Sequence, residues 1–413
     1  VKTNQAYRYE LKPNNRQITL LKKHCGAARF AYNWGLARRK ELYATKKGKD
    51  RFTSSISQHK ELNALKKTEY PWMYEVSKCA PQESLHNLDE AFKNMRRRIK
   101  NGERKKGFPK FKKKGKHDSF TISQTNMTLK IVDNTIHLPR IGYVRTKEST
   151  SKFKGRILNA TVSREADRWF CSLCVEVERP DPQPIKGEIV GIDLGINCFA
   201  TISNGESISQ VYSPKPLKKN LKKLKRLSKH HSKKQKGSNN KKKATIKLAR
   251  LHKRIRDTRK DFINKETTKL AKTKSVIVIE DLNVAGMLRN HRLARSIGDE
   301  GWGMFRTQLE YKTQWYGSKL VKIPRFYPSS KRCNHCGYVN KDLKLSDRTW
   351  ICPECGARNE RDPNAAHNIR DKGIELLSTE SFSGINACGV DVRPLGSGAV
   401  DVEAGSKSVC NKR

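Results

Sequence analysis

Two apolar runs that end on acids constrain this chain most. Residues 276–284 read VIVIEDLNV, four β-branched residues running directly into Glu280 and Asp281. Residues 188–197, EIVGIDLGIN, set Asp193 between Ile192 and Leu194. Both read as buried strands. Burying a lone carboxylate costs several kcal/mol unless it is paired or binds a metal. An arginine partner explains either acid alone. Two acids at the ends of adjacent parallel strands would repel and raise a pKa, unless a cation sits between them.

A third acid fits the same scheme. Asp362, in ERDPNAAHNI, reads as a helix N-cap with Pro363 at the first helical position. Capping and ligation are compatible, because a carboxylate has two oxygens. Three carboxylates and water make a hard, all-oxygen site suited to Mg²⁺ or Mn²⁺. A strand Asp, a later strand Glu and a helix-start Asp follow the order of an RNase H-like nuclease. Two metals about 3.5–4 Å apart would activate water and stabilise the leaving oxygen. GIDLG by itself also opens sugar-kinase and chaperone ATPase folds. Those would supply further glycine-rich phosphate loops, and none is found in this sequence.

The cysteines define a second centre. Cys333, Cys336, Cys352 and Cys355 follow C-x2-C-x15-C-x2-C, with Gly337 and Gly356 closing each knuckle. That spacing suits a structural Zn²⁺ site, closed by four thiolates. CSLC (171–174) lies in an alternating strand, so its two cysteines face opposite ways and share no metal. Eleven cysteines, scattered and odd in number, suggest a reducing cytoplasm rather than a disulfide framework.

Charge narrows the partners. Across 413 residues, 88 Lys+Arg stand against 40 Asp+Glu, a net +48. Self-repulsion of that size calls for a polyanion, and nucleic acid is the natural one. No apolar run approaches a membrane span, and no signal-peptide pattern opens the chain, so no membrane role is expected. Residues 215–260 hold 21 Lys/Arg and one acid, Asp257. Leu217, Leu221 and Leu224, then Leu248, Leu251 and Ile255, keep helical spacing around a break at GSNN. This predicts a basic helical hairpin facing nucleic acid.

The remaining periodicity divides the chain. Residues 1–14 and 113–180 predict short strands of a small β-barrel. Residues 15–112 form a mostly helical insertion, closing on the basic loop GERKKGFPKFKKKGKH (102–117). Phe108 and Phe111 stand among its lysines, placed either to stack on unpaired bases or to pack a small core. RPDPQPIKG (179–187) marks a boundary. Residues 181–325 and 357–378 make an α/β domain interrupted by the cysteine module 326–356. The tail 379–413 shows no period and reads as disordered.

These motifs together resemble the TnpB family, RNA-guided nucleases of insertion-sequence transposons related to type V CRISPR effectors. The resemblance spans nearly the whole chain. It rests on GAARFAYNWGLARR (26–39), GFPKFKKK (107–114), GIDLGINCFA (191–200), IVIEDLNVAGM (277–287), FYPSSKRCNHCG (326–337), WICPECG (350–356) and RDPNAAHNI (361–369). It implies a multidomain α+β fold: a RuvC-like nuclease domain with an inserted zinc ribbon, and an N-terminal wedge-like barrel with an inserted helical recognition lobe. It implies a guide RNA from the same element, and cleavage of matching double-stranded DNA beside a short flanking motif. It places this in the prokaryotic cytoplasm, at the nucleoid. The catalytic acids map to Asp193, Glu280 and Asp362, and Lys78, Gln82, Thr125 and Asn126 fall at positions that face the flanking motif. Base pairing would read sequence while protein charge holds backbones. A guided repressor that binds without cutting, or an RNA-independent RNase H-like transposase, would share many of these features.

Overall fold

Alternating apolar residues build the first of two units around a sheet. The computed structural model describes residues 2–382, apart from 104–106, 124–128, 152 and 345. The two units divide at Arg179–Pro180, inside the proline-rich stretch. The first contains β1 (Lys2–Lys12), α1 (Asn15–Thr45), α2 (Ser55–Thr68), α3 (Cys79–Lys100), β2 (Ser119–Ser123), β3 (Lys130–Val132), β4 (Thr135–Leu138), β5 (Gly142–Thr146), β6 (Arg156–Glu165) and β7 (Arg168–Glu178). The strands form one antiparallel sheet in the order β2-β6-β7-β1-β5-β4-β3. Among the described residues β2 and β3 end this order and do not pair, so the barrel expectation meets a seven-stranded sheet. Strand β5 has a weak sequence signature. Only Val144 and Thr146 point inward, and Tyr143 is 54% exposed, which leaves little apolar pattern to read.

Helix α1 starts on a capping box: the Asn14 side chain accepts from the Gln17 amide at 2.9 Å, and the Asn14 amide donates to Gln17 Oε1 at 3.1 Å. Its Leu21, Cys25 and Ala28 join Phe120, Ile122, Leu173 and Val175 in the core over the sheet. His24, fully buried, ties α1 to the turn before α3. Its Nδ1–H donates to Leu20 O at 2.8 Å, and Nε2 accepts from the Ser77 amide at 3.0 Å. Cys171 is fully buried while Cys174, on the other face of β7, is partly exposed, as alternation requires.

The second unit contains β8 (Ile189–Asp193), β9 (Ala200–Ser203), β10 (Ile208–Val211), α4 (Pro216–Ser232), α5 (Asn239–Thr273), β11 (Val276–Glu280), α6 (Val284–Met287), α7 (Ala294–Glu300), α8 (Trp302–Tyr316), β12 (Lys319–Ile323), β13 (Thr349–Ile351), β14 (Arg358–Glu360) and α9 (Arg361–Phe382). Its main sheet runs β10-β9-β8-β11-β12, with β8, β11 and β12 mutually parallel. Both faces are covered, which explains an unbroken VIVI. Ile277 and Ile279 join Ile263 and Leu270 of α5 and Phe305 and Leu309 of α8. Val278 faces the other way, toward Ile369 of α9. Gly191 allows α9 this approach, since a Cβ there would lie 2.2 Å from Ala366 O.

Three expectations are corrected in this unit. The second helix of the basic hairpin runs past residue 260 to Thr273, because its apolar side deepens into the core at Ile263 and Leu270. Helix α9 begins at Arg361, so Asp362 lies in the first turn rather than at the N-cap. Pro363 is tolerated there because first-turn amides have no intrahelical partner. Of the tail, residues 379–382 extend α9, and the rest lies outside the described residues.

Helix α4 has no cap of its own. Asp299 supplies one, accepting from the Leu217 and Lys218 amides at 3.0 and 2.9 Å, while Arg259 of α5 donates to the same aspartate. The base of the hairpin is thereby fixed. Above it, Leu221, Leu224 and Leu227 are partly covered, and the lysines between them are exposed.

Candidate active site and metal centres

Strand register brings two acids level. Ile192 pairs with Ile279 across parallel β8 and β11, so Asp193 and Glu280 follow as neighbours. Alternation turns both toward the face that α9 covers, since Ile192 and Ile279 occupy the opposite one. Asp362 stands in the first turn of that helix. Burial, then the charges of Glu280 and Asp362, push Asp193 up to about 7, against the opposing pull of Arg361 and the Leu194 amide. Burial also raises Glu280, and the Ser329 hydroxyl partly offsets it.

Neither acid forms a salt bridge among the described residues. The arginine explanation belongs to Asp281 instead. Its carboxylate accepts from Arg306 at 3.0 Å and from Arg325. Glu280 Oε1 accepts from Ser329 Oγ at 2.5 Å. Asp362 lies 3.8 Å from an Arg348 nitrogen. The three carboxylates are electrostatic neighbours without closing into one ligand cage. Among the described residues, only the cysteine quartet brings three or more such ligand atoms within 4.8 Å of one another. The acids still fit a cation: they are oxygen donors, and their repulsion at Asp193 is what a positive charge would relieve.

The quartet fits zinc more directly. Sγ separations are 3.8 Å for Cys333–Cys355 and 3.5 Å for Cys336–Cys352. A tetrahedron with Zn–S of about 2.3 Å has edges of about 3.8 Å. Burial pushes the Cys333 thiol up, but the Cys336 and His335 amides and the Asn359 side chain bring it down to about 6. Thiolate is the form that ligates. Gly337 and Gly356 sit at φ 81° and 69°, turns that a Cβ would strain.

The remaining candidates lie in the first unit. Lys78 is exposed just ahead of α3, and Gln82 is partly covered one turn on. The Ser123 hydroxyl donates to Glu83, bringing the end of β2 to the same turn. Thr125 and Asn126 lie outside the described residues. Phe108 and Phe111 are 51% and 47% exposed, with Lys40 Nζ 5.6 and 4.8 Å from their ring centres. Phe108 borders a cleft of about 920 Å³ walled by Tyr43, Phe52, Phe92 and Met95, with Arg51, Lys93 and Arg96 at its edge. Neither phenylalanine is a core residue.

Family models match three stretches: "Probable transposase" over 172–291, "Cas12f1-like, TNB domain" over 302–369 and "Helix-turn-helix domain" over 3–49. The last covers most of strand β1 and the whole of α1, a single continuous helix in this chain. A "Putative RNA-guided DNA endonuclease" of Streptomyces pristinaespiralis is 36% identical over 400 residues, 94% of this chain and 92% of its own. The chain belongs to the TnpB family. Another relative, "Putative RNA-guided DNA endonuclease InsQ" of Escherichia coli (strain K12), is 34% identical over 393 residues, 92% of this chain and 94% of its own. The fold is that of a chain in the "Cas12f1-sgRNA-target DNA complex", at TM-score 0.55 and 18% identity over 86% of this chain and 82% of that one.

Within this TnpB-family chain, three residues near the acids escaped the sequence reading. Ser329 touches Glu280, and Asn364 and Asn368 of α9 bond the backbone around Cys333. Their partners lie 30 to 49 residues away, so no local pattern marks them.

Proposed function

We propose that this chain is an RNA-guided, divalent-metal-dependent DNA endonuclease. It cuts double-stranded DNA that matches its guide RNA, beside a short flanking motif. The observation that carries this reading is Asp193 and Glu280, level at the ends of adjacent parallel strands, with Asp362 near enough to raise Asp193 further. The names of the relatives add the guide RNA and the DNA substrate.

In this reading the second unit's main sheet is the RuvC-like nuclease domain, and 326–356 is its zinc ribbon. The seven-stranded sheet serves as the wedge-like domain, with α1–α3 as the recognition lobe. Asp193, Glu280 and Asp362 would hold two Mg²⁺ or Mn²⁺ ions, which would supply a lowered pKa for the attacking water and charge neutralisation at the leaving oxygen. Ser329 fixes one oxygen of Glu280, leaving the other to ligate. Exposed lysines of α4 and α5 hold phosphate backbones without reading bases. Lys78, Gln82, Thr125 and Asn126 face the flanking motif, and Phe108 and Phe111 offer faces to unpaired bases.

Plasmid cleavage tests this. The protein, purified with RNA from its own locus, receives a guide-matched target flanked by randomised bases. Metal-dependent double-strand cuts, with one flanking motif enriched, are expected. Asp193→Ala should abolish cutting and leave RNA and target binding nearly intact. Full-rate cleavage by that variant would remove the acid assignment. Binding without cuts in both Mg²⁺ and Mn²⁺ would replace it with a guided repressor, and strand-transfer products without RNA with a transposase.

A further inference from the structure

A single six-residue segment, 329–334, touches both metal centres. Its Ser329 hydroxyl donates to Glu280 Oε1 at 2.5 Å, and the Ser329 carbonyl accepts from Asn368 Nδ2 at 2.8 Å. The Arg332 carbonyl, one residue before Cys333, accepts from Asn364 Nδ2 at 2.7 Å and Asn368 Nδ2 at 2.6 Å. The Asn334 amide, one residue after Cys333, donates to Asn364 Oδ1 at 3.0 Å. Both asparagines stand on α9, which also carries Asp362. The first zinc knuckle is therefore clamped to the helix of the third acid and, through Ser329, to the second.

The network is buried and satisfied. Ser329, Asn364 and Asn368 are 6%, 4% and 3% exposed. Two amides on one carbonyl fix its position more tightly than packing would, and removing either side chain strands buried polar groups. Cys333, itself buried, accepts from Asn359 Nδ2 at 3.5 Å. Without a metal ion to join the four sulfurs, nothing ties the two knuckles to each other, because the ligand bonds themselves supply the folding energy of such a module. Loss of the knuckle would release Arg332, then Ser329, then the orientation of Glu280.

We propose that zinc in the cysteine cluster sets divalent-metal affinity at the acids through this segment, with Ser329, Asn364 and Asn368 as positioning residues. The proposal rests on the metal-site reading of Asp193, Glu280 and Asp362. Coupling of this kind is reciprocal: metal at the acids must equally strengthen zinc retention.

The test uses the full chain bound to its guide RNA. Mn²⁺ affinity is read from the resonance of free Mn²⁺, and zinc content by atomic emission. Ser329→Ala should keep its zinc and its RNA affinity while Mn²⁺ binds about tenfold more weakly, as loss of a partner to a metal ligand typically costs. Ser329→Thr, which retains the hydroxyl, should recover most of that loss. Asn368→Ala should weaken Mn²⁺ binding in the same direction. An unchanged Mn²⁺ affinity in zinc-loaded Ser329→Ala would overturn the coupling alone. Equal Mn²⁺ binding by the parent and by an Asp193→Ala/Glu280→Ala double variant would overturn the metal-site reading, and the coupling with it. A second measurement needs no variant of the segment: zinc release to a chromogenic chelator should slow when Mn²⁺ is present. Release at one rate with and without Mn²⁺ would reject the reciprocal link.

Discussion

His24 shows how one side chain commits a local structure to a protonation state. With Nδ1–H given to Leu20 O and Nε2 accepting from Ser77, the ring must be neutral. Burial lowers its pKa below the ordinary value, and the Leu20 carbonyl only partly opposes this. Between the folded pKa and the unfolded value of about 6.5, the unfolded chain binds more protons. Stability from His24 is thus complete above that unfolded value and is lost as pH falls through the window below it. Thermal melts at neutral and mildly acid pH should show the loss, and His24→Gln should show a shallower dependence. Asp281 teaches a different residue-scale lesson. It follows Glu280 directly, yet one acid finds a serine and the other two arginines. Strand β11 ends at Glu280 and Asp281 opens the loop that follows, so neighbours in sequence can have unrelated chemistry.

At the scale of elements, the closeness of α9 to β8 depends on the absence of a side chain at residue 191. A Cβ there would also lie 2.4 Å from the Arg370 amide, and backbone cannot swing aside. Gly191→Ala should cost about 1–3 kcal/mol or more and displace Asp362 from Asp193. Gly303→Ala is the control: within α8 a Cβ meets nothing within 4 Å, so the change should leave cleavage intact and slightly stabilise the helix. Paired melting curves and cleavage rates would separate the two. The elements also show what a sequence displays. The cysteine quartet was legible because its spacing is local, and β8 and β11 because their apolar runs are unbroken. Strand β5 was not, since its inward face carries one apolar residue, Val144. The reach of α5 to Thr273 was hidden because the lysine-rich pattern fades where the buried side begins. The contacts of Ser329, Asn364 and Asn368 were invisible, because a hydrogen bond across tens of residues leaves no periodicity.

For the whole molecule, charge dominates. A net +48 is carried by a chain in which no described helix is long and apolar enough to cross a membrane. Binding to nucleic acid releases condensed counterions, so affinity should fall at least about a thousandfold between roughly 50 and 200 mM salt if six or more phosphates are engaged. A titration of RNA binding against salt would give the slope, and neutralising exposed lysines of α4 should reduce it. One helix links this charge to the apolar interior. Helix α5 has 35 residues, about 52 Å of continuous rod. Lysines crowd its opening turns, whereas Ile263, Leu270 and Ala271 near its end are buried under the sheet. The two ends share one hydrogen-bond ladder, whose formation is cooperative along the helix. Occupying the lysine end with RNA should slow amide hydrogen exchange beyond residue 260, in a stretch that the RNA itself need never touch.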